Sequence, residues 1–460
     1  RVSFLAHMEG ANNGVNNAFD DGSASNHTIT AVGKATQGSF GPFARPDGEW
    51  ANYFDGNDYL STPSQGTLAA SANWCMECYF YCTGTTSGTY RVMSSNESTD
   101  SDAYFLMRIR LGQYNFYTDN VDSSLVGTVA FNAWTHIAMT KSGTTVRAFV
   151  NGVKLWEATD NGTTVIQNLI IGWGYGSEYF PGFISNARFV NGSSVYTSNF
   201  TPPTAPLTAI TNTTLLTCQS NRFFDNSASA HTVTPSGNPS VSSFGPFLTT
   251  SVYDPAVNGA SLFLAEQGSY LSLTAVEAMR NPSSFTLEGW VYLTEAPAGS
   301  NATAIFALGN AGQDARKNSY SVGVRADLKP RVVSAGFQAE TIQSNIPIKL
   351  NEWAHLALTW DSTTWSLYQN GVRSGTSTTQ ALSTSDYTQG YVGRDYYADG
   401  RFAPNAYYTD VRMVTGTHVY SGTTYTVPTA PLTAITNTKL LLNMANGQAI
   451  DSAAQNNLTL

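Results

Sequence analysis

Short runs of alternating apolar and polar residues, each closed by turn residues, fill most of the chain. In Phe285-Thr286-Leu287-Glu288-Gly289-Trp290-Val291-Tyr292 the alternation puts Phe285, Leu287 and Val291 on one face of a strand. Successive side chains of extended backbone point to opposite sides, which is why the pattern carries that meaning. Residues 134–140 form a similar run, and residues 145–153 follow as a hairpin turning at Asn151-Gly152, a pair that tolerates positive φ. Residues 360–372 repeat the arrangement through Asn370-Gly371. Helical periodicity is scarce, and only residues 274–280 suit a single turn. Strands of this length at turn-bounded intervals predict an all-β chain built as sandwiches or jelly rolls.

The pattern is stated twice. Phe19-Asp20-Asp21-Gly22-Ser23-Ala24-Ser25-Asn26-His27-Thr28 returns as Phe223-Phe224-Asp225-Asn226-Ser227-Ala228-Ser229-Ala230-His231-Thr232, and Phe40-Gly41-Pro42-Phe43 returns as Phe244-Gly245-Pro246-Phe247. Trp134-Thr135-His136 matches Trp353-Ala354-His355, and Arg188 with Val195-Tyr196 matches Arg412 with Val419-Tyr420. Residues 204–213 recur letter for letter as residues 429–438. A period this long means two whole domains rather than a solenoid. The Pro-rich linkers place the first module at residues 1–210 and the second at 211–436, since boundaries favour such segments. Residues 437–460, with Leu440-Leu441-Leu442 and then Asp451-Ser452-Ala453, read as the start of a third module or as a closing segment. The opening at Arg1, without Met, suggests a piece of a longer protein.

Composition narrows the function. Of 460 residues, 12% are charged and 12% aromatic, which suits strands joined by polar turns and disfavours disorder. The net charge of −9 comes without any Lys/Arg cluster, so no phosphate-tracking surface and no nucleic-acid partner are expected. No apolar run approaches the ~18 residues of a membrane-spanning helix, so membrane insertion is not expected either. Cys75, Cys78 and Cys82 share one predicted strand, and alternation sends Cys78 and Cys82 to one face and Cys75 to the other. Three thiolates on one metal would have to converge. The second module has Thr286, Gly289 and Leu293 there, so these cysteines read as buried small apolar residues.

The Phe54-Asp55-Gly56-Asn57-Asp58-Tyr59-Leu60 segment, the Trp-x-His strands, the Asn-Gly hairpins and the late Ile184-Ser185-Asn186-Ala187-Arg188 strand resemble the laminin-G-like branch of the concanavalin A-like lectin/glucanase superfamily. Their order, twice over, covers nearly the whole chain and implies two tandem concanavalin A-like β-sandwich (jelly-roll) domains. The joining text from Phe200 through Leu207, Leu215-Leu216-Thr217-Cys218-Gln219 and Asp225-Asn226-Ser227 is similar to that of tandem modules in virion proteins of tailed, especially marine, phages.

The resemblance implies a calcium site in which an early Asp and a carboxylate or amide before the last Arg-bearing strand hold the ion. Asp21 and Asp225 would take the first role, and Asn186 and Asp410 the second. Asp225 and Asp410 would then clasp the ion of the second module, with a weaker site in the first. The competing reading of Asp21 and Asp225 is an Asx-turn with the following Ser. Two aromatic-rich loops form a candidate carbohydrate or partner contact: Trp173, Tyr175 and Tyr179 in the first module, Tyr396 and Tyr397 in the second. Such rings stack on sugars, and they are equally enriched at protein interfaces.

Catalysis is not expected. Retaining glycoside hydrolysis needs two carboxyls about 5–5.5 Å apart, and no Glu-x-Asp-x-Glu-like triplet occurs on any predicted strand. Glu77 and Glu288 stand alone among aromatic neighbours and read as inward carboxylates bonded to backbone or Tyr. His136 and His355 read as packed histidines, and Asp55 with Asp58 as a loop brace. The expectation is therefore a non-enzymatic virion surface or fibre protein, oligomeric within a particle, contacting other virion proteins and host-surface glycans. Its rivals are a capsid decoration protein without glycan recognition and a secreted, extracellular adhesive protein. For the last, Asn26, Asn161 and Asn301 would be glycosylation sequons.

Overall fold

A computed structural model describes residues 6–7, 29–32, 35–38, 43–64, 66–95, 105–118, 121–166, 168–243, 246, 255–264, 269–274, 276–297, 303–309, 320–334, 342–378, 389–394, 405–444 and 450–451. The chain divides into two compact units: residues 45–249, and residues 1–44 together with 250–460. Both are all-β sandwiches, and among the described residues the only helical pieces are Pro255–Asn258 and the 3-10 turn Val276–Met279, the latter inside the predicted 274–280 turn.

In the 45–249 unit an 8-stranded antiparallel sheet runs Val153–Thr159, Thr145–Val150, Trp134–Ser142, Trp74–Cys82, Pro181–Asn191, Ala51–Asp55, Ser240–Ser242, with Thr213–Thr217 also pairing Pro181–Asn191. A 7-stranded sheet faces it: Val121–Asp122, Gln113–Thr118, Phe105–Arg110, Thr89–Ser95, Leu169–Ile171, Tyr59–Ser61, Thr234–Ser236. Alternation along Trp74–Cys82 turns Trp74 and Phe80 inward. Trp74 stacks on Phe105 of the facing sheet at 5.1 Å, and Phe80 meets Tyr114 edge-on at 6.5 Å. The predicted hairpin turns at Asn151 and Gly152, with φ of 47° and 76°.

The other unit repeats both sheets. Its 8-stranded sheet runs Ala35–Gly38, Ser261–Leu264, Ala406–Thr415, Phe285–Leu293, Trp353–Trp360, Trp365–Gln369, Val372–Ser377, with Thr438–Leu442 pairing Ala406–Thr415. Its 7-stranded sheet runs Ile29–Val32, Tyr270–Thr274, Gln389–Val392, Thr303–Gly309, Tyr320–Val324, Pro330–Ser334, Ile342–Gln343. Phe285, Leu287 and Val291 face its core, as their alternation predicts.

The units differ from the modules marked by the linkers. Each sandwich takes in the segment after its linker: Thr213–Thr217 pairs Pro181–Asn191, and Thr438–Leu442 pairs Ala406–Thr415. Thr234–Ser236 and Ser240–Ser242 then pair Tyr59–Ser61 and Ala51–Asp55. In the other unit the same two places are filled from the far end of the chain, by Ile29–Val32 and Ala35–Gly38. A linear reading assigns these strands by neighbourhood, whereas a sheet edge accepts any strand that brings the right pattern.

Candidate functional site

Glu77 lies on the face of its sheet that looks away from the core, yet it is completely buried. This corrects the inward placement expected for Glu77 and Glu288. The cover includes Tyr196 and Phe200, whose rings stack at 3.6 Å and lie against His136. Beneath it Arg188 donates from Nε and Nη2 to Glu77 Oε1 at 3.0 and 2.6 Å, and Tyr196 donates to Oε2 at 2.8 Å. His136 Nε2 stands 3.0 Å from Oε2, and Arg188 Nη1 also donates to the Thr208 carbonyl of the linker. Burial alone would push the Glu77 carboxyl up. The His136 hydrogen bond and the Arg188 charge outweigh it and hold the group below the usual carboxylate range.

Glu288, Arg412, Tyr420 and His355 repeat this arrangement. Arg412 donates to Glu288 Oε1 at 2.9 and 2.6 Å and to the Thr433 carbonyl at 2.9 Å. Two contacts differ: His355 Nε2 stands 3.4 Å from Glu288 Oε2 without the hydrogen bond that His136 makes, and His355 Nδ1 meets the Tyr425 hydroxyl at 2.5 Å, where Phe200 in the other unit leaves His136 Nδ1 without a partner among the described residues. These are structural networks that rivet the linker to the sheet. Each member was visible in the repeat, but sequence reading took them singly and gave the histidines no carboxylate partner.

Asn186 and Asp410 occupy matching bulges in the last long strands, each with φ of 53°. Left-handed backbone favours Asn and Asp over most residues. Asn186 Oδ1 accepts from the Leu207 N–H at 2.8 Å and from Gln219 Nε2 at 2.9 Å, and its Nδ2 donates to the Gly48 carbonyl at 2.7 Å. Asp410 Oδ1 accepts from the Leu432 N–H at 2.6 Å. Burial pushes the Asp410 carboxyl up to about 8, so it is largely protonated at neutral pH.

Asp225 forms the Asx-turn. Its Oδ1 accepts from the Leu216 and Ser227 N–H groups, both at 2.8 Å, and its Oδ2 from Ser227 Oγ at 2.9 Å and the His231 N–H at 3.0 Å. It lies in the 45–249 unit, whereas Asp410 lies in the other, so the two do not make one intramodule clasp. A cation at Asp225 would have to displace all four donors. Asp21, Tyr396 and Tyr397 lie outside the described residues. Among the described residues no three His, Cys, Asp or Glu side chains gather as a metal site. All four cysteines are buried and free. Asp58 braces its loop, as expected, accepting from the Asp55 and Asn238 N–H groups.

Of the predicted aromatic contact, the loop that carries Trp173, Tyr175 and Tyr179 lies within the described residues. Gly172, with φ of 91°, turns the chain out of Leu169–Ile171. The following loop lies on the outward face of the 7-stranded sheet. Trp173 sits against Tyr59 at 4.8 Å and Tyr179 at 5.6 Å, and its Nε1 donates to the Gly176 carbonyl at 3.0 Å. Trp173 therefore organises the loop, and Tyr175, 42% exposed, is the ring it presents. Gly174 is required here, because a Cβ would come within 2.4 Å of Arg91 Cδ. Glu178, on the same loop, accepts from Arg91 Nε at 2.5 Å and Arg108 Nη1 at 3.3 Å. Arg108 Nε donates to Asn115 Oδ1 at 2.8 Å, and Asn115 Nδ2 to Asp122 Oδ1 at 2.6 Å. Sequence reading missed Arg91, Arg108, Asn115 and Asp122, which come from separate strands with no shared spacing. Their register was the missing information: Arg91 stands opposite Arg108, and Arg108 opposite Asn115.

The matching place in the other unit is built differently. Register sets Tyr270 at the position of Tyr59, Ala304 at Arg91, Gly323 at Arg108 and Arg331 at Asn115. Arg394, following Gly393 as Trp173 follows Gly172, lies over the Tyr270 ring at 4.6 Å and the Tyr391 ring at 5.3 Å.

None of the curated proteins matches the chain. Among solved structures, domains LG4-5 of the mouse laminin alpha1 chain are similar at 13% identity, covering 79% of this chain and 88% of theirs, with a TM-score of 0.27. The native heptameric SAP-like pentraxin of Limulus polyphemus matches at 11% identity over 42% of this chain and 94% of its own, with a TM-score of 0.31. Domain 4 of AbnA, an extracellular arabinanase of Geobacillus stearothermophilus solved with arabinotriose, matches at 15% over 35% and 76%, with a TM-score of 0.24. The profile of the Concanavalin A-like lectin/glucanases superfamily matches residues 54–209 and 265–417, one stretch in each sandwich, and this chain belongs to that superfamily.

Proposed function

We propose that the chain is a non-enzymatic attachment protein, displayed on a phage particle as a surface or fibre component, whose 45–249 unit recognises a host-surface glycan. The observation that carries this is the loop that presents Tyr175 beside the Trp173, Tyr59 and Tyr179 rings and the Arg91–Glu178–Arg108–Asn115–Asp122 chain. An exposed ring offers a face to the apolar side of a pyranose, and neighbouring charged and amide groups suit its hydroxyls. Membership of a superfamily that includes lectins supports a sugar ligand. The similarity of the linker text to tandem virion modules supports the particle.

The absence of catalysis is part of the proposal. Glu77 and Glu288 are sealed beneath the linker cover and ion-paired, and both Glu178 oxygens are engaged by guanidinium groups. A glycan array probed with the full chain, with and without Tyr175→Ala, tests the reading. The exposed ring contributes little to stability, so the signal should fall at least about tenfold, the worth of ~1.4 kcal/mol, with melting unchanged. A blank array from a chain that still binds its particle would leave a decoration protein, and release of reducing ends from β-glucans would restore an enzyme.

A further inference from the structure

We infer that the strands Ile29–Val32 and Ala35–Gly38 are an exchangeable closing element, and that a second copy of this chain can fill the slot they occupy, linking copies head to tail. The acceptor is defined by register. Ile29–Val32 pairs Tyr270–Thr274, with Thr30 opposite Ser272, and Ala35–Gly38 pairs Ser261–Leu264, with Thr36 opposite Phe263. The other sandwich has the same slot, filled by the segment at the same place in the repeat, though the two donors share little sequence. There Thr234–Ser236 pairs Tyr59–Ser61 and Ser240–Ser242 pairs Ala51–Asp55. That donor follows its own sandwich in the chain. Residues 29–38 instead precede the whole 45–249 unit, so that in chain order residues 45–249 separate them from their acceptor.

The slot therefore reads strand pattern and not sequence distance. Main-chain pairing carries most of such an interaction, and it is the same whichever copy supplies the strand. Each chain brings one remote donor and one remote acceptor, and these are different surfaces. Exchange between copies is accordingly heterologous, giving rings where the rotation closes and open chains where it does not. Closure within one chain competes through its effective concentration, which for tethered segments reaches only about millimolar. Exchange therefore competes only where the local concentration of folding copies approaches that value, and it should grow with their concentration. The inference is independent of glycan binding, since it uses neither the Tyr175 loop nor its neighbours.

Cross-linking tests it on the full chain. Thr30→Cys is made in one copy and Ser272→Cys in another, and directly opposed residues lie within reach of a short bis-thiol reagent. The four native cysteines are buried and should stay silent. The two variants are unfolded together, refolded over a range of concentrations and cross-linked. We expect a product of twice the chain mass that grows with concentration, well above the homodimer formed by either variant alone. If the doubly substituted chain cross-links only within itself, and mixed copies never exceed the homodimer level, exchange does not occur. If the doubly substituted chain does not cross-link at all, residues 29–38 do not fill the slot and the inference falls with it.

Discussion

The two sandwiches agree where they are sealed and disagree where they are open. Behind the 8-stranded sheets the same Glu, Arg, Tyr and His positions recur, and in both the Arg reaches a linker carbonyl, Thr208 or Thr433. On the outward faces of the 7-stranded sheets one unit carries Arg91, Arg108, Asn115 and Trp173, where the other has Ala304, Gly323, Arg331 and Arg394. The duplication thus acts as an internal control. Features kept in both copies answer to the fold, and a face kept in one copy is free to answer to a ligand.

The strongest way to break this comparison is to open a sealed network. Glu77→Gln or Glu288→Gln leaves a guanidinium buried without its carboxylate, and losing one partner of such a pair costs about 3–5 kcal/mol. Both variants should lower the calorimetric melting of their own unit by a similar amount. A loss confined to one unit would mean that the networks are copies in geometry only.

Asp410 and Asn186 sharpen it through pH. The Asp410 carboxyl is raised from its ordinary range to about 8 on folding. A group raised in this way contributes stability that is fully present below pH ~4 and is lost as pH rises toward 8. Melting of the unit containing Asp410 should therefore fall across that window, while the Asn186 unit has no such loss at this position. Asp410→Asn should remove the fall and raise the melting temperature of the unit at pH 8. An unchanged profile would show that the carboxyl finds solvent or a counter-charge.

A smaller effect is expected at Phe200. Phe200→Tyr would offer His136 Nδ1 the hydroxyl that Tyr425 gives His355, for a gain of about 1 kcal/mol in the 45–249 unit. The smallest is expected from chelation. With four donors already on Asp225, EDTA should leave melting of the 45–249 unit unchanged, and a clear drop would reinstate a cation there.

Much of this was legible before the structure, for identifiable reasons. Alternation and Asn-Gly turns are local, so the strands at 285–292 and 134–140 and the hairpins at Asn151 and Asn370 were readable from neighbours alone. The Asx-turn at Asp225 was readable as one of two alternatives. Long-range pairing was not, and it accounts for most of the misses, although alternation alone already put Glu288 on the face opposite Phe285, Leu287 and Val291. Without it, Asp225 was grouped with Asp410, and Arg91, Arg108 and Asn115 could not be brought together. Trp173 was recognised as part of a site; its packing against Tyr59 and Tyr179, which shapes the loop that shows Tyr175, was not.

The remote closing strands also set an order of events at the ribosome. Every described strand of the 45–249 unit is synthesised by residue 242, whereas Ile29–Val32 and Ala35–Gly38 find their partners only after residues 261–274 emerge. At ~5–20 residues per second this is a delay of roughly 10–50 s, during which two strands with unpaired backbone wait while the 45–249 unit is being made. Translation speed through residues 45–249 then becomes a variable of assembly, because it decides how long those strands are offered to other nascent chains on the same message.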